Sequence, residues 1–136
     1  MKATSTTIDN ITEVLTRIIE FTDRRRDVLT RNLFDYKATD FVPKDLPVCE
    51  FAECMTEAVS EHLRSRRLLM CDREHVRFEA EGAFDTQPVT DHDANTLLES
   101  DIKQYLQLQI NKLSENLMNN RIAVELLKQK RQRELC

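Results

Sequence analysis

The chain has 136 residues, a length typical of a single domain with a modest core. It contains one glycine, three prolines and no tryptophan, and so few turn-forming residues argue against a many-stranded sheet. The net charge is −4, and residues 35–97 carry seven Lys or Arg against fourteen Asp or Glu. This acidic middle lies between nearly neutral ends, whereas nucleic-acid binding requires a concentrated positive surface. We therefore expect no nucleic-acid partner, and we expect a few long elements.

Hydropathy along the chain indicates whether the sequence has a membrane-spanning run or a cleaved signal peptide. No apolar run approaches the roughly 20 residues that cross a bilayer. Residues 1–7 are polar and lack the apolar core of a cleaved signal peptide. The sequence therefore predicts a soluble protein without membrane insertion, and any route out of the cytoplasm would use a signal that is not cleaved.

The N-terminal third shows the period of an amphipathic helix. From Ile8 onward, apolar residues recur at spacings of three and four, which places them on one helix face. Thr6 and Asp9 have the spacing of a capping box, so the pattern predicts a helix over residues 7–34. The arginines at 24–26 are interpreted as a solvated face. The stripe residues assigned to an assembly interface are Ile11, Leu15, Ile18, Val28, Leu29 and Leu33.

A second, shorter helix is predicted in the acidic middle. Pro43 and Pro47 disfavour helix before them, so residues 35–47 should be extended. Asp45 is a candidate N-cap, with Pro47 in the first turn. The predicted buried face comprises Phe51, Met55, Ala58, Val59, His62 and Leu63. The predicted exposed face comprises Glu50, Glu53, Glu57 and Glu61.

The rest of the middle segment has a weaker pattern. Residues 75–81 alternate polar and apolar side chains, which predicts a half-buried strand ending at Gly82. Residues 84–93 are predicted to form a loop.

The C-terminal third has the longest helical pattern. A helix over residues 95–134, with a cap at Asn95 or Thr96, would be about 60 Å long. Such a stripe needs either the first helix or another subunit to cover it. Its apolar residues, also assigned to the interface, are Leu98, Ile102, Leu106, Ile110, Leu113, Leu117, Val124 and Leu127.

These elements define the expected fold class. It is mainly α, with long N- and C-terminal amphipathic helices packing as a coiled-coil-like pair around a small irregular α+β middle segment. Residues 1–34, 35–97 and 98–136 form the three parts of one structural domain.

The residue types of catalytic and metal sites give no coherent arrangement. Cys71 and His75 have a spacing that could hold a metal, but zinc sites usually show a tighter cysteine pair with a matching second pair. The four cysteines are interpreted as free thiols. One glycine cannot build a phosphate loop, and no nucleophile turn is recognisable. We therefore expect neither a metal nor a cofactor, and no enzymatic activity.

Two segments with family-like motifs lie around the two ends of the acidic middle, the first of them in two stretches. Residues 25–33 read Arg-Arg-Asp-Val-Leu-Thr-Arg-Asn-Leu, and residues 36–41 read Tyr-Lys-Ala-Thr-Asp-Phe. Residues 93–99 read Asp-Ala-Asn-Thr-Leu-Leu-Glu. These segments resemble the N-terminal helix, the stretch after it and the start of the C-terminal helix in the flagellar basal-body rod protein family, most closely its proximal, FlgB branch. The resemblance is to a divergent member: the family's Ala-Asn-x-x-Thr-Pro-Gly turn is missing, and Ala94 replaces a glycine.

The resemblance implies a structural subunit of the periplasmic rod, exported unfolded through the flagellar export gate without a cleaved signal. It also implies that the terminal helices of neighbouring copies pack into a helical tube. The partners would then be copies of the chain and other rod or export-apparatus proteins. Two alternatives stay open: a cytosolic helical adaptor or export chaperone that dimerises and binds a basic client, and a zinc- or thiol-dependent regulator.

Overall fold

A computed structural model of the chain describes residues 2–78 and 84–135, with side chains described from Asn10 to Glu134 within those ranges. The fold is mainly α, as the sequence predicts, and its two long terminal helices pack together. The elements in chain order are α1 (Lys2–Phe34), β1 (Lys44–Asp45), α2 (Val48–Ser65), β2 (Val76–Phe78), β3 (Phe84–Thr86), β4 (Val89–Thr90), α3 (His92–Ser100) and α4 (Ile102–Leu135).

Helix α1 begins earlier than the capping pattern predicts. It starts at Lys2, so Thr6 lies inside the helix, and it ends at Phe34 as expected. Beyond Phe34 the chain turns, with the Ala38 amide donating to the Asp35 carbonyl and the Phe41 amide donating to the Ala38 carbonyl. Only the last part of residues 35–47 is extended, where β1 lies.

Helix α2 runs antiparallel to α1, and its cap differs from the prediction. Pro47 occupies the N-cap position without a side-chain cap, because the Asp45 carboxylate is bound elsewhere. Near the other end of α2, Asn10 Nδ2 donates to the carbonyl of Arg66, whose φ of 63° closes the helix in the left-handed region. The predicted burial was wrong for Val59 and Leu63, which are exposed, while Cys54 and Glu61 are buried.

Two short antiparallel ribbons replace most of the predicted loop. Strand β1 pairs with β4 in the register Lys44↔Thr90, and β2 pairs with β3 in the register Val76↔Thr86. The loop prediction for residues 84–93 was therefore wrong, since β3, β4 and the start of α3 lie there. The predicted strand over residues 75–81 is described only as Val76–Phe78, and Gly82 lies outside the described residues.

The predicted C-terminal helix is two helices. Asp91, rather than Asn95 or Thr96, caps α3, and its carboxylate accepts from the Ala94 amide at 3.1 Å. The helix then breaks at Asp101, which is extended, and the Asp101 carboxylate accepts from the Gln104 amide at the start of α4. Asp101 thus ends one helix and caps the next, a role that suits a short side chain able to accept hydrogen bonds from the backbone.

The main core lies between α1, α2 and the two ribbons. The Phe21 and Phe51 rings stack at 4.0 Å, and Phe84 packs against Phe51 at 5.9 Å. The Arg24 guanidinium lies over the Phe84 ring at 4.7 Å. Aromatic packing of this kind stabilises beyond simple area burial. A second, smaller cluster of Leu15, Ala123 and Leu127 joins α1 to the far end of α4.

Candidate assembly surface

The contact between α1 and α4 is polar over much of its length. The helices are antiparallel: Asn32 Nδ2 donates to Gln109 Oε1 at 2.9 Å, and Asn116 Nδ2 donates to the Thr22 carbonyl at 2.7 Å. The Tyr105 hydroxyl donates to the Asn32 carbonyl at 2.7 Å. We call these residues (Thr22, Asn32, Tyr105, Gln109 and Asn116) the polar seam; all five are buried. The predicted apolar stripe therefore joins the two helices only at the far end of α4, through Leu15 and Leu127, and the polar seam joins them over the rest of the contact.

Burial of the polar seam affects the acid-base behaviour of Tyr105. Removal of the phenol from water, with a smaller effect of the Asp91 charge, raises the pKa of Tyr105 to about 12. The neutral hydroxyl is thus kept as a hydrogen-bond donor to Asn32. Buried polar groups that are paired in this way fix one register of the two helices, because a slip would leave them without partners.

Four charged side chains form a partly buried ion-pair network beside the seam. Arg25 donates to both carboxylate oxygens of Asp45, at 2.8 and 3.0 Å. Lys112 Nζ lies 3.1 Å from Asp45 and 2.6 Å from Asp91. Burial alone would raise the pKa of Asp45, but Arg25 and Lys112 outweigh burial and hold that pKa below its usual range. The ion-pair network joins α1, β1 and the start of α3 to α4.

This network corrects the prediction for the arginine run. Arg24 and Arg26 are exposed, as a solvated face requires, but Arg25 is buried against Asp45. Consecutive helix residues point in directions about 100° apart, so only one of three can enter the same contact.

The fourteen residues assigned to the interface fall into three groups by exposure. Leu15, Leu29 and Leu127 are buried within the chain and cannot face a neighbour. Seven are half-buried: Ile11, Ile18, Val28, Leu33, Leu98, Leu106 and Leu113. Four are exposed large apolar side chains on α4: Ile102, Ile110, Leu117 and Val124, with exposed fractions of 51%, 48%, 49% and 40%. Leu98 lies on α3, before the break, and so is not continuous with the others.

The four exposed residues of the third group lie in one band along α4. At about 100° per residue they lie roughly a quarter turn away from the polar seam. We define the outer stripe as the apolar residues of this band, which are Ile102, Leu106, Ile110, Leu113, Leu117 and Val124. Exposed apolar side chains are common singly, but a continuous band along one helix is typical of a binding surface.

An apolar groove lies on the other side of the seam. It has a volume of about 390 Å³ and lies between α1, α2 and the second half of α4. Its lining includes Ile18 from α1, Ala52 and Met55 from α2, and Ile122 and Leu126 from α4. Ile122 and Leu126 are half exposed and, by the helical period, point almost opposite to the outer stripe. The outer stripe and the apolar groove therefore lie on different faces of the chain.

Charged side chains lie beside both surfaces. The side of the outer stripe away from the seam is flanked by the cations Lys103, Arg121 and Lys128, all exposed. The described residues that line the groove include the cation Arg25 and no acid. The outer stripe and the groove therefore match in apolar character and not in charge.

Five of the fourteen acidic side chains of the middle segment have a partner within the chain. Glu50 accepts from the backbone amide of His75 and contacts its Nδ1 at 2.8 Å, and the hydrogen bond raises the pKa of His75. Glu61 contacts Arg64 at 2.5 Å and accepts from Ser65. With Asp45, Glu57 and Asp91, five acids of this segment are ion-paired.

Residues 2–78 and 84–135 contain neither a metal-ligand cluster nor a membrane-spanning helix. No cluster there contains three or more His, Cys, Asp or Glu side chains arranged to hold a metal, so Cys71 and His75 are not joined by further ligands. Among those same residues, no helix combines the length and apolar character needed to cross a bilayer.

Sequence patterns missed half of the candidate surface. The groove residues Ile122 and Leu126, with Met118, belong to a second apolar face of α4 that the three-and-four spacing of the first stripe obscured. The signal for the α1 contact was polar: Tyr105, Gln109, Asn116 and Ala123 recur at spacings of four and seven.

Comparison with known proteins adds no relative. No family model, curated protein or solved structure matches the chain.

Proposed function

We propose that the chain is a non-enzymatic structural subunit of the bacterial flagellar basal-body rod that assembles with its neighbours through its terminal helices. The observation that carries the proposal is the outer stripe of α4, where Ile102, Ile110, Leu117 and Val124 are 40–51% exposed. A folded chain with a filled core leaves such a stripe in water only at a cost of roughly 25 cal/mol per Å². Burial against a partner would recover that free energy.

The arrangement of the resembling segments supports the same proposal. Tyr36, from the Tyr-Lys-Ala-Thr-Asp-Phe segment, packs 6.1 Å from Tyr105 at the start of α4. The Asp91 amide, just before the second segment, donates to the Pro43 carbonyl, just after the first. The two segments that resemble rod proteins are thus neighbours in space, at one end of the α1–α4 pair.

The occupant that we propose for the groove is the outer stripe of a second copy. The outer stripe and the groove are both apolar and partly exposed, so each can bury the other. Because the outer stripe and the groove lie on different faces, one copy can bind two different neighbours at once, one through each surface. Such head-to-tail contacts generate a helical array, the symmetry of a tube, when the rotation between copies does not close a ring.

Position and export follow from the proposal. The subunit would leave the cytoplasm unfolded through the flagellar export apparatus and fold in the periplasmic part of the basal body. Other rod and export-apparatus proteins would contact the first and last copies.

A cytosolic adaptor that binds a basic client explains the structure less well than a rod subunit does. Of the fourteen acids in residues 35–97, four are paired with Arg or Lys of the same chain and Glu50 is bound to His75, so fewer are available to a basic client. Exposed ion pairs are weak, but each partner must still be displaced before a client can bind.

Deletion and fractionation test the proposed function. In the source organism, loss of the gene should abolish swimming and leave basal bodies without a rod. A plasmid copy should restore both, with the protein found in the detergent-resistant basal-body fraction. The matched control is a plasmid copy carrying Ser114→Asp, a change on an exposed polar position of α4, which should restore swimming equally. Full motility of the deletion strain, or a protein confined to the cytosol as a stable dimer, would contradict the proposal.

A further inference from the structure

Two cysteines approach each other across the middle segment. Cys54 lies on the inner face of α2 and is fully buried, while Cys71 is half-buried in the irregular segment that leads to β2. The Cys54 Sγ–H donates to the Cys71 carbonyl oxygen at 3.0 Å. Bond lengths then limit the separation of the two Cα atoms to about 8 Å. Disulfide-bonded cysteines have Cα atoms about 4.4–6.8 Å apart, so the upper limit for this pair lies just above the range of a disulfide.

The segment that carries Cys71 can adjust its position. Residues 67–72 belong to neither helix nor strand, so their movement breaks no ladder of backbone hydrogen bonds. Cys54 is fixed by α2 and by the phenylalanines of the main core. By contrast, Cys49 is exposed on α2.

We propose that Cys54 and Cys71 form an intramolecular disulfide when the folded protein meets a disulfide oxidant. The oxidant first exchanges with the more accessible thiol, Cys71, forming a mixed disulfide and releasing one thiol. Cys54, as the thiolate, then attacks the Cys71 sulfur and releases the second thiol. The protein loses two electrons and two protons, and the disulfide of the oxidant accepts both as two thiols.

Burial raises the pKa of the Cys54 thiol, and nearby Arg73 lowers it in part. The second exchange should therefore be the slower one and should accelerate with pH. The bond would tie the irregular segment before β2 to α2. This property belongs to the folded chain and does not depend on the proposed function. If that function holds, the bond would form only after export, since the periplasm is oxidising and the cytosol is reducing.

Oxidation of two-cysteine chains tests the pairing. The first chain carries Cys49→Ala and Cys136→Ala and so keeps Cys54 and Cys71. The folded, dilute protein is incubated with oxidised glutathione, alkylated and digested with trypsin, which cleaves after Arg64, Arg66 and Arg67 between the two cysteines. Mass spectrometry should find residues 45–64 linked to residues 68–73 as the main product. The oxidised chain should melt roughly 5–10 °C higher than the reduced chain.

A matched chain controls for chance encounters. It carries Cys54→Ala and Cys136→Ala and keeps Cys49 and Cys71, and it should form no intramolecular link under the same conditions. Far-ultraviolet circular dichroism should show both chains folded. The proposal is overturned if the first chain stays fully alkylatable, if it stops at a glutathione adduct on Cys71, or if both chains form links in equal yield.

Discussion

Asp45→Ala should destabilise the chain by about 3–5 kcal/mol, because it removes one partner from a buried ion pair and leaves the other without compensation. The Arg25 side chain is only 7% exposed and donates two hydrogen bonds to Asp45. The change also removes one of the two carboxylates beside Lys112. Urea unfolding followed by circular dichroism measures the loss.

The matched control is Asp27→Ala, which removes an exposed pairing of Asp27 with Arg26 at 3.6 Å. Exposed pairs contribute little, so this variant should stay within about 0.5 kcal/mol of the parent chain. Equal stability of the Asp45→Ala and Asp27→Ala variants would contradict the ion-pair network as described.

The same network predicts a pH dependence. The pKa of Asp45 is lower in the folded chain than its ordinary value of 3.8. Its contribution to the free energy of unfolding is therefore complete above that ordinary value and is lost as the pH falls through the lower folded pKa. Between pH 5 and pH 2 the parent chain should lose more stability than Asp45→Ala. If the free energy of unfolding falls equally in the two chains over this pH range, Asp45 is not the group responsible for the pH dependence.

Leu117→Asp combined with Val124→Asp should abolish assembly while leaving the single chain folded. Both side chains are at least 40% exposed, so the carboxylates stay hydrated in the free chain, and its stability should change by less than about 1 kcal/mol. In an assembled interface the same charges would be buried without partners, at a cost of several kcal/mol each. A loss of that size weakens association more than about a thousandfold.

The control for this variant is Ser114→Asp combined with Gln129→Asp, which adds the same two charges to exposed polar positions of α4. The control should restore swimming to the deletion strain, whereas the stripe variant should not. Restoration of swimming by the stripe variant would mean that the outer stripe is no interface. A stripe variant that fails to fold, measured by circular dichroism, would mean that Leu117 or Val124 supports the chain itself.

The long helices were predictable because periodic burial leaves a strong trace in sequence. The end of α1 at Phe34 and the pairing of α1 with the C-terminal helical region were expected and observed. Apolar spacing predicted Leu127 of the α4 face that meets α1, but not the rest of that face, where Asn32, Gln109 and Asn116 make the contact. An apolar-period argument assigns such amides to solvent, although hydrogen bonds offset much of the cost of burying them. The offset is incomplete at Gln109, whose Nε2 has no hydrogen-bond partner among the described residues.

The sequence patterns also could not predict the helix break at Asp101 or the ion-pair partner of Arg25. Asp101 ends α3 without a proline or glycine, and one polar residue in a helical region gives little warning of a break. Arg25 differs from Arg24 and Arg26 only in the direction that its side chain takes from the helix. Its partner, Asp45, is twenty positions along the chain, and only the fold brings the two together.

Cross-linking between two different copies measures the stripe-to-groove contact most directly. In a background with all four cysteines replaced by alanine, Leu117→Cys and Ala52→Cys are placed on separate copies, expressed together and treated with a short bismaleimide. Leu117 is on the outer stripe and Ala52 lines the groove, so a link between the two variants joins the outer stripe of one copy to the groove of another. The proposal predicts a mixed dimer on a denaturing gel, and predicts its loss when the Leu117→Cys copy also carries Val124→Asp. The absence of the mixed dimer from cells that contain intact basal bodies, with each single variant still incorporated, would contradict it.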